Sequence, residues 1–360
     1  MNIRPTAQAP LIVSALTAFA FTFTPASGYP ATNEVTATAI AMEEFMIPAV
    51  DPNIQLYVRN KHPQGTKKFA GEKVVLYVHG STYPSETAFD LKLGGISWME
   101  FIARHGYDVY LVDLRGYGKS TRPSEMNQPA EQNPPIVRTE TAVKDVSAAV
   151  DFILKRRGVS KINLLGWSWG TSIMAWYTTQ NNDKVNKLVL YAPQWLRDAP
   201  ALTDTGGKLG AYRTVSMESA KERWLKGVAD DKKADLIPPG WFEAWAAATI
   251  ATDPVGSKQN PPVLRAPNGT VQDTREFWSA GKPLYDPGLI RVPTFLAHAE
   301  WDQDLPNYML YAYFTKLTNV PYKRYVQIGE GTHTVIMEKN RLQLFRAVQG
   351  FLDERFKSGE

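Results

Sequence analysis

Six short, almost continuous apolar runs recur along the chain: EKVVLYVHG (72–80), YDVYLVDLRG (107–116), KINLLGWS (161–168), NKLVLYAPQ (186–194), RVPTFLAHAE (291–300) and YKRYVQIGEG (322–331). A strand with one face in water alternates apolar and polar residues. Runs without that alternation predict strands covered on both faces, as in a parallel sheet between helical layers. Helical spacing lies between them, in GISWMEFIARHG (95–106), in TETAVKDVSAAVDFILKRRG (139–158) with Val143, Val146, Val150 and Ile153 on one stripe, and in NRLQLFRAVQGFLDERFK (340–357). Strand and helix in repeated alternation predict a doubly wound α/β fold, with a mostly parallel sheet and right-handed crossovers.

The segment EEFMIPAVDPNIQLYVRNK (43–61) reads as a hairpin turning at Asp51-Pro52-Asn53, and it opens the folded domain. The stretch 195–289 breaks the alternation. It holds helix-like sequence with Trp224, Trp241 and Trp245, then the Pro-, Asn- and Gly-rich piece GSKQNPPVLRAPNGT. It is expected to be a mostly helical cap inserted into a core made of 43–194 and 290–360. At 360 residues, 44% of them hydrophobic, the chain is long enough for one large core or two modest ones.

Residues 1–28 have the order of parts of a secretory signal peptide: Arg4, an apolar stretch from Ala9 to Phe23, then Ala26, Ser27 and Gly28. Residues 29–42 follow as a linker. Export to a periplasmic or extracellular location is the expectation; the alternative is a Thr- and Ala-rich tail on a cytoplasmic protein. No later segment is long and apolar enough to span a bilayer.

Several function classes fall away. The net charge of +4 is spread over 40 basic and 36 acidic residues without a long block of one sign, which argues against a nucleic-acid partner. The absence of cysteine removes disulfide and thiolate chemistry. No HExxH motif or dinucleotide-binding glycine fingerprint occurs, so neither a metal nor another cofactor is expected. Gly118-Lys119-Ser120 imitates the tail of a phosphate-binding loop, but the leading glycine would fall at Asp113, and a turn at the sheet edge is the better reading.

The chemistry centres on Gly166-Trp167-Ser168-Trp169-Gly170, which lies where a predicted strand ends and a predicted helix begins. Small residues on both sides permit a tight turn that projects the serine hydroxyl, with the helix N-terminus beside any developing negative charge. A serine needs a base, and only five histidines exist. His62 and His105 lie away from the carboxyl ends of the strands, whereas His79 and His298 end strands and read as packed neighbours. His333 follows the last strand on a glycine-bearing loop and is the expected base. Beyond the strand TFLAHA lie Glu300, Asp302 and Asp304. Asp302 is the expected acid, with the other two as surface or cap carboxylates. The oxyanion donors are expected to be the backbone N–H of Trp169 and that of Ser81.

These segments together resemble the α/β-hydrolase superfamily: HGST at the oxyanion loop, DLRGYGKS after the next strand, GWSWG at the elbow, EWDQDLP for the acid and GTH for the base. The resemblance runs from about Glu43 to Phe356. It implies a serine-nucleophile enzyme of the esterase and lipase type that needs no cofactor and acts on an ester, a lactone or a related acyl substrate. The same triad would also serve an amidase, a peptidase or a carbon–carbon hydrolase, and a non-catalytic binding protein on this scaffold is the remaining alternative. Trp167, Trp195, Trp241 and Trp245 are candidates for an aromatic pocket. Arg213 and Arg223 are candidates for a substrate carboxylate, with helix-surface positions as the default.

Overall fold

The computed structural model describes residues 1–2 and 39–356, and the fold is that of the compact unit Thr38–Glu360. The expected signal peptide and most of the linker lie outside the described residues. Strands β1 (Ile40–Pro48) and β2 (Gln55–Pro63) form the expected hairpin, with Asn53 in the left-handed region at φ 62°, a conformation that asparagine tolerates. The strand begins at Ile40, so the last three residues expected in the linker belong to the sheet.

All six apolar runs are strands: β3 (Val74–Val78), β4 (Asp108–Val112), β5 (Ile162–Trp167), β6 (Val185–Tyr191), and, after the insertion, Thr294–Ala299 and Lys323–Ile328. Helices α1 (Ser85–Phe89), α2 (Trp98–Arg104), α3 (Thr139–Arg157) and α4 (Trp169–Gln180) lie between β3 and β6. The Ser97 hydroxyl caps α2 by accepting from Glu100 N at 3.0 Å.

Between β6 and the strand at Thr294 the chain makes α5 (Met217–Trp224), α6 (Asp230–Leu236), α7 (Trp241–Ala251) and α8 (Gly269–Asp273). It also makes a feature that the helical expectation lacked: β7 (Tyr212–Val215) pairs antiparallel with β8 (Leu264–Pro267). Roughly fifty residues separate the partners, so no local pattern announces the pairing. The last two strands are then β9 (Thr294–Ala299) and β10 (Lys323–Ile328), flanked by α9 (Asn307–Lys316) and α10 (Arg341–Asp353).

The large sheet has the order β1-β2-β4-β3-β5-β6-β9-β10. Only the β1–β2 and β2–β4 pairs are antiparallel. Every residue of β3, β4, β5 and β9 is buried, which is why those runs lack alternation. On one face Trp98 of α2 stacks on Phe345 of α10, with ring centroids 5.0 Å apart. Elsewhere α3 and α4 are joined by the Trp169 indole N–H, which donates to Thr139 Oγ1 at 2.9 Å. The carboxyl ends of β3, β5 and β9, and the loop after β10, therefore converge at one edge, where ligands bind in open α/β sheets. Among the described residues no helix is long and apolar enough to cross a membrane.

Candidate active site

Ser168 sits between β5 and α4 with φ 58° and ψ −122°, a conformation that side chains other than glycine rarely adopt. Its surroundings hold it there. Ser168 N donates to Tyr191 O at 2.9 Å, and Ser168 O accepts from Thr171 N at 2.9 Å and from Thr171 Oγ1 at 2.5 Å. The two glycines of the pentapeptide are set by close approach. A Cβ on Gly166 would lie 2.2 Å from Gly170 O, and one on Gly170 would lie 2.5 Å from Val78 O. Strand β5, helix α4 and the end of β3 can therefore meet only without those side chains.

His333 Nδ1 donates to Asp302 Oδ2 at 2.8 Å, and both residues are buried. The other carboxylate oxygen, Oδ1, accepts from the amides of Asp304 and Leu305, each at 2.9 Å. Burial raises the Asp302 pKa, but the attraction of His333 and these hydrogen bonds outweigh it and leave the carboxyl below its ordinary value. Burial lowers the His333 pKa, yet Asp302 and Asp304 outweigh that effect, and the net shift is upward. With Nδ1 committed to Asp302, the neutral ring carries its lone pair on Nε2. Ser168 and His333 share the wall of one cavity with Gly80, Ser81, Trp167 and Arg223.

The remaining histidines behave as structural groups. His79 accepts Leu114 N at 3.2 Å on Nε2, and burial pushes its pKa down to about 4. His298 bonds Leu305 O through Nε2 at 2.6 Å, His105 bonds Phe101 O at 2.8 Å, and His62 bonds Pro63 O at 3.0 Å. Glu300 is exposed and accepts Glu330 N, as a cap carboxylate does. Asp304 departs from expectation. It is buried and ion-paired with Arg223 at 2.7 Å, so it belongs to the site and not to the surface. Asp302, Asp304 and His333 hold ligand-type atoms within 4.8 Å of one another, but each already has a protein partner.

Trp169 is the first residue of α4, and the first amides of a helix have no acceptor within the helix. The second expected oxyanion residue, Ser81, follows β3 and lines the same cavities as Ser168. Its carbonyl accepts from the Tyr117 hydroxyl at 2.9 Å and from Arg213 Nη2 at 2.8 Å, which anchors the Ser81–Thr82 peptide directly after the expected donor N–H. Tyr117 belongs to DLRGYGKS. There Asp113 accepts Ser85 N and Lys119 N, and Ser120 Oγ donates to Asp113 O, so the phosphate-loop look-alike is a turn at the sheet edge.

The aromatic pocket needs correction. Trp167 does line the Ser168 cavity, and its indole N–H donates to His333 O at 3.1 Å, beside the Tyr191 hydroxyl at 2.6 Å. The other three candidates lie elsewhere. Trp195 packs with Trp278, Tyr285 and Tyr313. Trp241 stacks beneath the guanidinium of Arg341 at 4.6 Å. Trp245 is fully buried against Tyr83, Trp224 and Phe242. Large apolar area is equally at home in a core or in a pocket, and here the core takes it.

Arg213 and Arg223 are partly buried and not surface charges. Sequence reasoning missed Arg197, Gln194, Tyr117 and Glu338. Glu338 accepts the Trp224 indole N–H at 2.7 Å and Thr332 N at 3.0 Å, joining the insertion to the loop that carries His333.

A mostly parallel sheet with a strained serine between strand and helix, and an Asp–His pair beyond the last two strands, defines an α/β-hydrolase architecture. A family model described as alpha/beta hydrolase fold matches residues 73–253, half of the chain, and the chain belongs to that superfamily. The match ends before Asp302 and His333. A probable lipase of Schizosaccharomyces pombe is 28% identical over 157 residues, 43% of this chain and 35% of the relative. Gastric triacylglycerol lipase of Rattus norvegicus is 27% identical over 131 residues, 36% of this chain and 33% of the relative. The chain thus matches about a third of the length of these curated relatives. Among solved structures, a serine hydrolase of Cycloclasticus zankles superposes with a TM-score of 0.57 at 16% identity, covering 87% of this chain and 98% of the other. A thermophilic esterase of Thermogutta terrifontis gives a TM-score of 0.54 at 16% identity, covering 86% and 98%.

Proposed function

We propose that this chain is a serine hydrolase that cleaves a carboxylic ester or lactone through an acyl-enzyme intermediate. The observation that carries the reading is the connected set at one sheet edge: Ser168 in its strained turn shares a cavity with His333, whose Nδ1 is held by Asp302 at 2.8 Å. Ser168 Oγ attacks the substrate carbonyl while His333 Nε2 takes the hydroxyl proton, and the ionised Asp302 stabilises the imidazolium. The resulting oxyanion meets the N–H groups of Trp169 and Ser81, with the N-terminus of α4 adding its dipole. His333 then protonates the leaving oxygen. Water, deprotonated by His333, attacks the acyl-serine; His333 returns that proton to the departing Ser168 Oγ, and the acid is released.

Residues 195–289 act as the cap in this reading, because Arg213, Arg223 and Trp224 reach from it onto Ser81, Asp304 and Glu338. The cavity beside Ser168 is walled largely by polar groups, including Gln194, Thr203 and Thr274. This supports a polar acyl substrate over the triacylglycerols in the names of the relatives.

Incubation of the protein with a fluorophosphonate probe, followed by a screen of esters, lactones and anilides, tests the assignment. Labelling and turnover should vanish in Ser168→Ala, and turnover should fall steeply in His333→Ala. A wild-type protein that neither labels nor turns over any acyl substrate would refute it. We also propose that the chain is exported after cleavage near Gly28. Secreted material should then begin near Tyr29, whereas an intact Met1 confined to the cell would contradict export.

A further inference from the structure

Two arginines, Arg197 and Arg223, line the Ser168 cavity together with one carboxylate, Asp304, and a third arginine, Arg213, bonds to Ser81 beside it. Arg223 is paired with Asp304 at 2.7 Å. Asp302, the other carboxylate of the site, is committed to His333. Among the described residues Arg213 donates only to Pro267 O, Ser81 O and Thr82 Oγ1, and its buried Nε has no hydrogen-bond partner.

Arg197 is the decisive residue. It is 8% exposed and lines the cavity together with Ser168, Gln194 and Arg223. Its hydrogen bonds run to backbone carbonyls: Nε to Ala199 O at 2.6 Å, Nη2 to Pro200 O at 2.9 Å, and Nη1 to Asp304 O at a long 3.5 Å. Among the described residues it makes no ion pair. The nearby carboxylate of Asp198 accepts the Tyr308 hydroxyl instead. A guanidinium offers five N–H groups in a planar fork, so about two of them remain for a ligand. A buried guanidinium with no carboxylate in direct contact is costly, and the cost is relieved when a carboxylate binds bidentately.

We propose that the substrate is an ester or lactone that itself carries a carboxylate, and that Arg197, assisted by Arg223, binds that anionic group in the Ser168 cavity. This rests on the serine hydrolase reading and adds the substrate class to it. The backbone bonds of Arg197 orient the fork, and the anion supplies the carboxylate contact that the protein does not make.

Two matched pairs of substrates test the inference on the full chain. 4-Nitrophenyl hydrogen glutarate is compared with 4-nitrophenyl pentanoate for an anion on the acyl side, and 4-acetoxybenzoate with 4-acetoxybenzamide for one on the leaving side. The wild type should prefer the anionic member of at least one pair in kcat/KM by about tenfold or more. Arg197→Gln should lower that preference by about 10- to 100-fold, the worth of a charge-assisted hydrogen bond, and Arg197→Lys should restore part of it. Should Arg197→Gln fail to fold, inhibition of the wild type decides. Glutarate should compete with the pentanoate ester and 1,5-pentanediol should not. Equal or reversed preference in both pairs, absence of glutarate inhibition, or a preference untouched by Arg197→Gln would each overturn the proposal. Fluorophosphonate labelling separates the two failures. A protein that labels at Ser168 yet shows no anion preference loses this inference alone, whereas one that does not label loses both.

Discussion

Asp302 and His333 are joined at 2.8 Å, and the oxygen of Asp302 that does not face the ring is held by two backbone amides. The carboxylate therefore cannot rotate without breaking both hydrogen bonds, and its direction sets the tautomer of the ring. Asp302→Asn would keep its oxygen on the two backbone amides and turn its NH2 toward the ring, which favours the wrong tautomer. Turnover should fall by about 10⁴, the loss this change brings in serine proteases, with the fold intact by circular dichroism. Asp304→Asn removes no bond to the ring and should cost far less. Equal losses from both substitutions would refute the assignment of Asp302 as the acid.

Asp304 has a separate, pH-dependent effect. It is one of the carboxylates that hold the His333 pKa above its ordinary value against the opposing pull of burial. In the proposed mechanism His333 serves as base only when neutral, so activity should be lost as pH falls through its raised pKa. Asp304→Asn removes a negative charge, which lowers that pKa and moves the acidic limb of the kcat/KM profile to lower pH. A limb that stays in place, or moves upward, contradicts the electrostatic role.

The Ser81 carbonyl is held from two sides, by the Tyr117 hydroxyl and by Arg213. Both act through Ser81 and not on the substrate, so they are positioning residues. Tyr117→Phe should lower kcat by about 3- to 30-fold, less than the 10²–10³ that follows loss of an oxyanion donor itself. The effect should fall on kcat more than on KM, because the donor is needed in the transition state. A change confined to KM would place Tyr117 in substrate binding instead.

What could be read from the sequence followed the reach of each interaction. Strands β3 to β6 were legible because burial on both faces writes itself into consecutive residues. That Ser168, Asp302 and His333 follow the ends of β5, β9 and β10 was legible for the same reason. The contacts that complete the site were not. Arg223 meets Asp304 across 81 residues, Trp224 meets Glu338 across 114, and nothing local distinguishes such an arginine from a solvated one. The tryptophans misled for a related reason: Trp195 and Trp245 bury the area expected of a pocket residue, but against other aromatic rings of the core. Trp167, beside the serine, acts through its N–H on the His333 backbone, a role that composition cannot announce.

The glycines of the elbow give a stability prediction. A methyl group on Gly166 would lie 2.2 Å from the carbonyl oxygen of Gly170, and backbone atoms on both sides leave no flexible group to yield. Gly166→Ala should destabilise the fold by on the order of 2–4 kcal/mol, read by thermal or urea unfolding. Gly95→Ala is the contrast. A Cβ there meets nothing within 4 Å, so its cost should come from the positive φ alone and be smaller. A Gly166→Ala protein as stable as Gly95→Ala would mean that β5 and α4 do not approach as closely as described.

Glu338 couples the insertion to the His333 loop through a group whose charge is held in check. Burial pushes its carboxyl up from 4.5 to about 7, against the hydrogen bonds from Thr332 and Trp224. Between those two values the folded protein binds more protons than the unfolded chain. This contribution to stability is therefore fully present below about pH 4.5 and is lost as pH rises through 7. In Glu338→Gln the position stays neutral, and that component disappears. The unfolding free energy of wild type minus that of Glu338→Gln should decrease from pH 4.5 to 7 by on the order of 1–3 kcal/mol, measured by urea titration at several pH values. Parallel curves for the two proteins across that window would mean that Glu338 stays ionised in the fold. The tie from Trp224 to the His333 loop would then not depend on a proton.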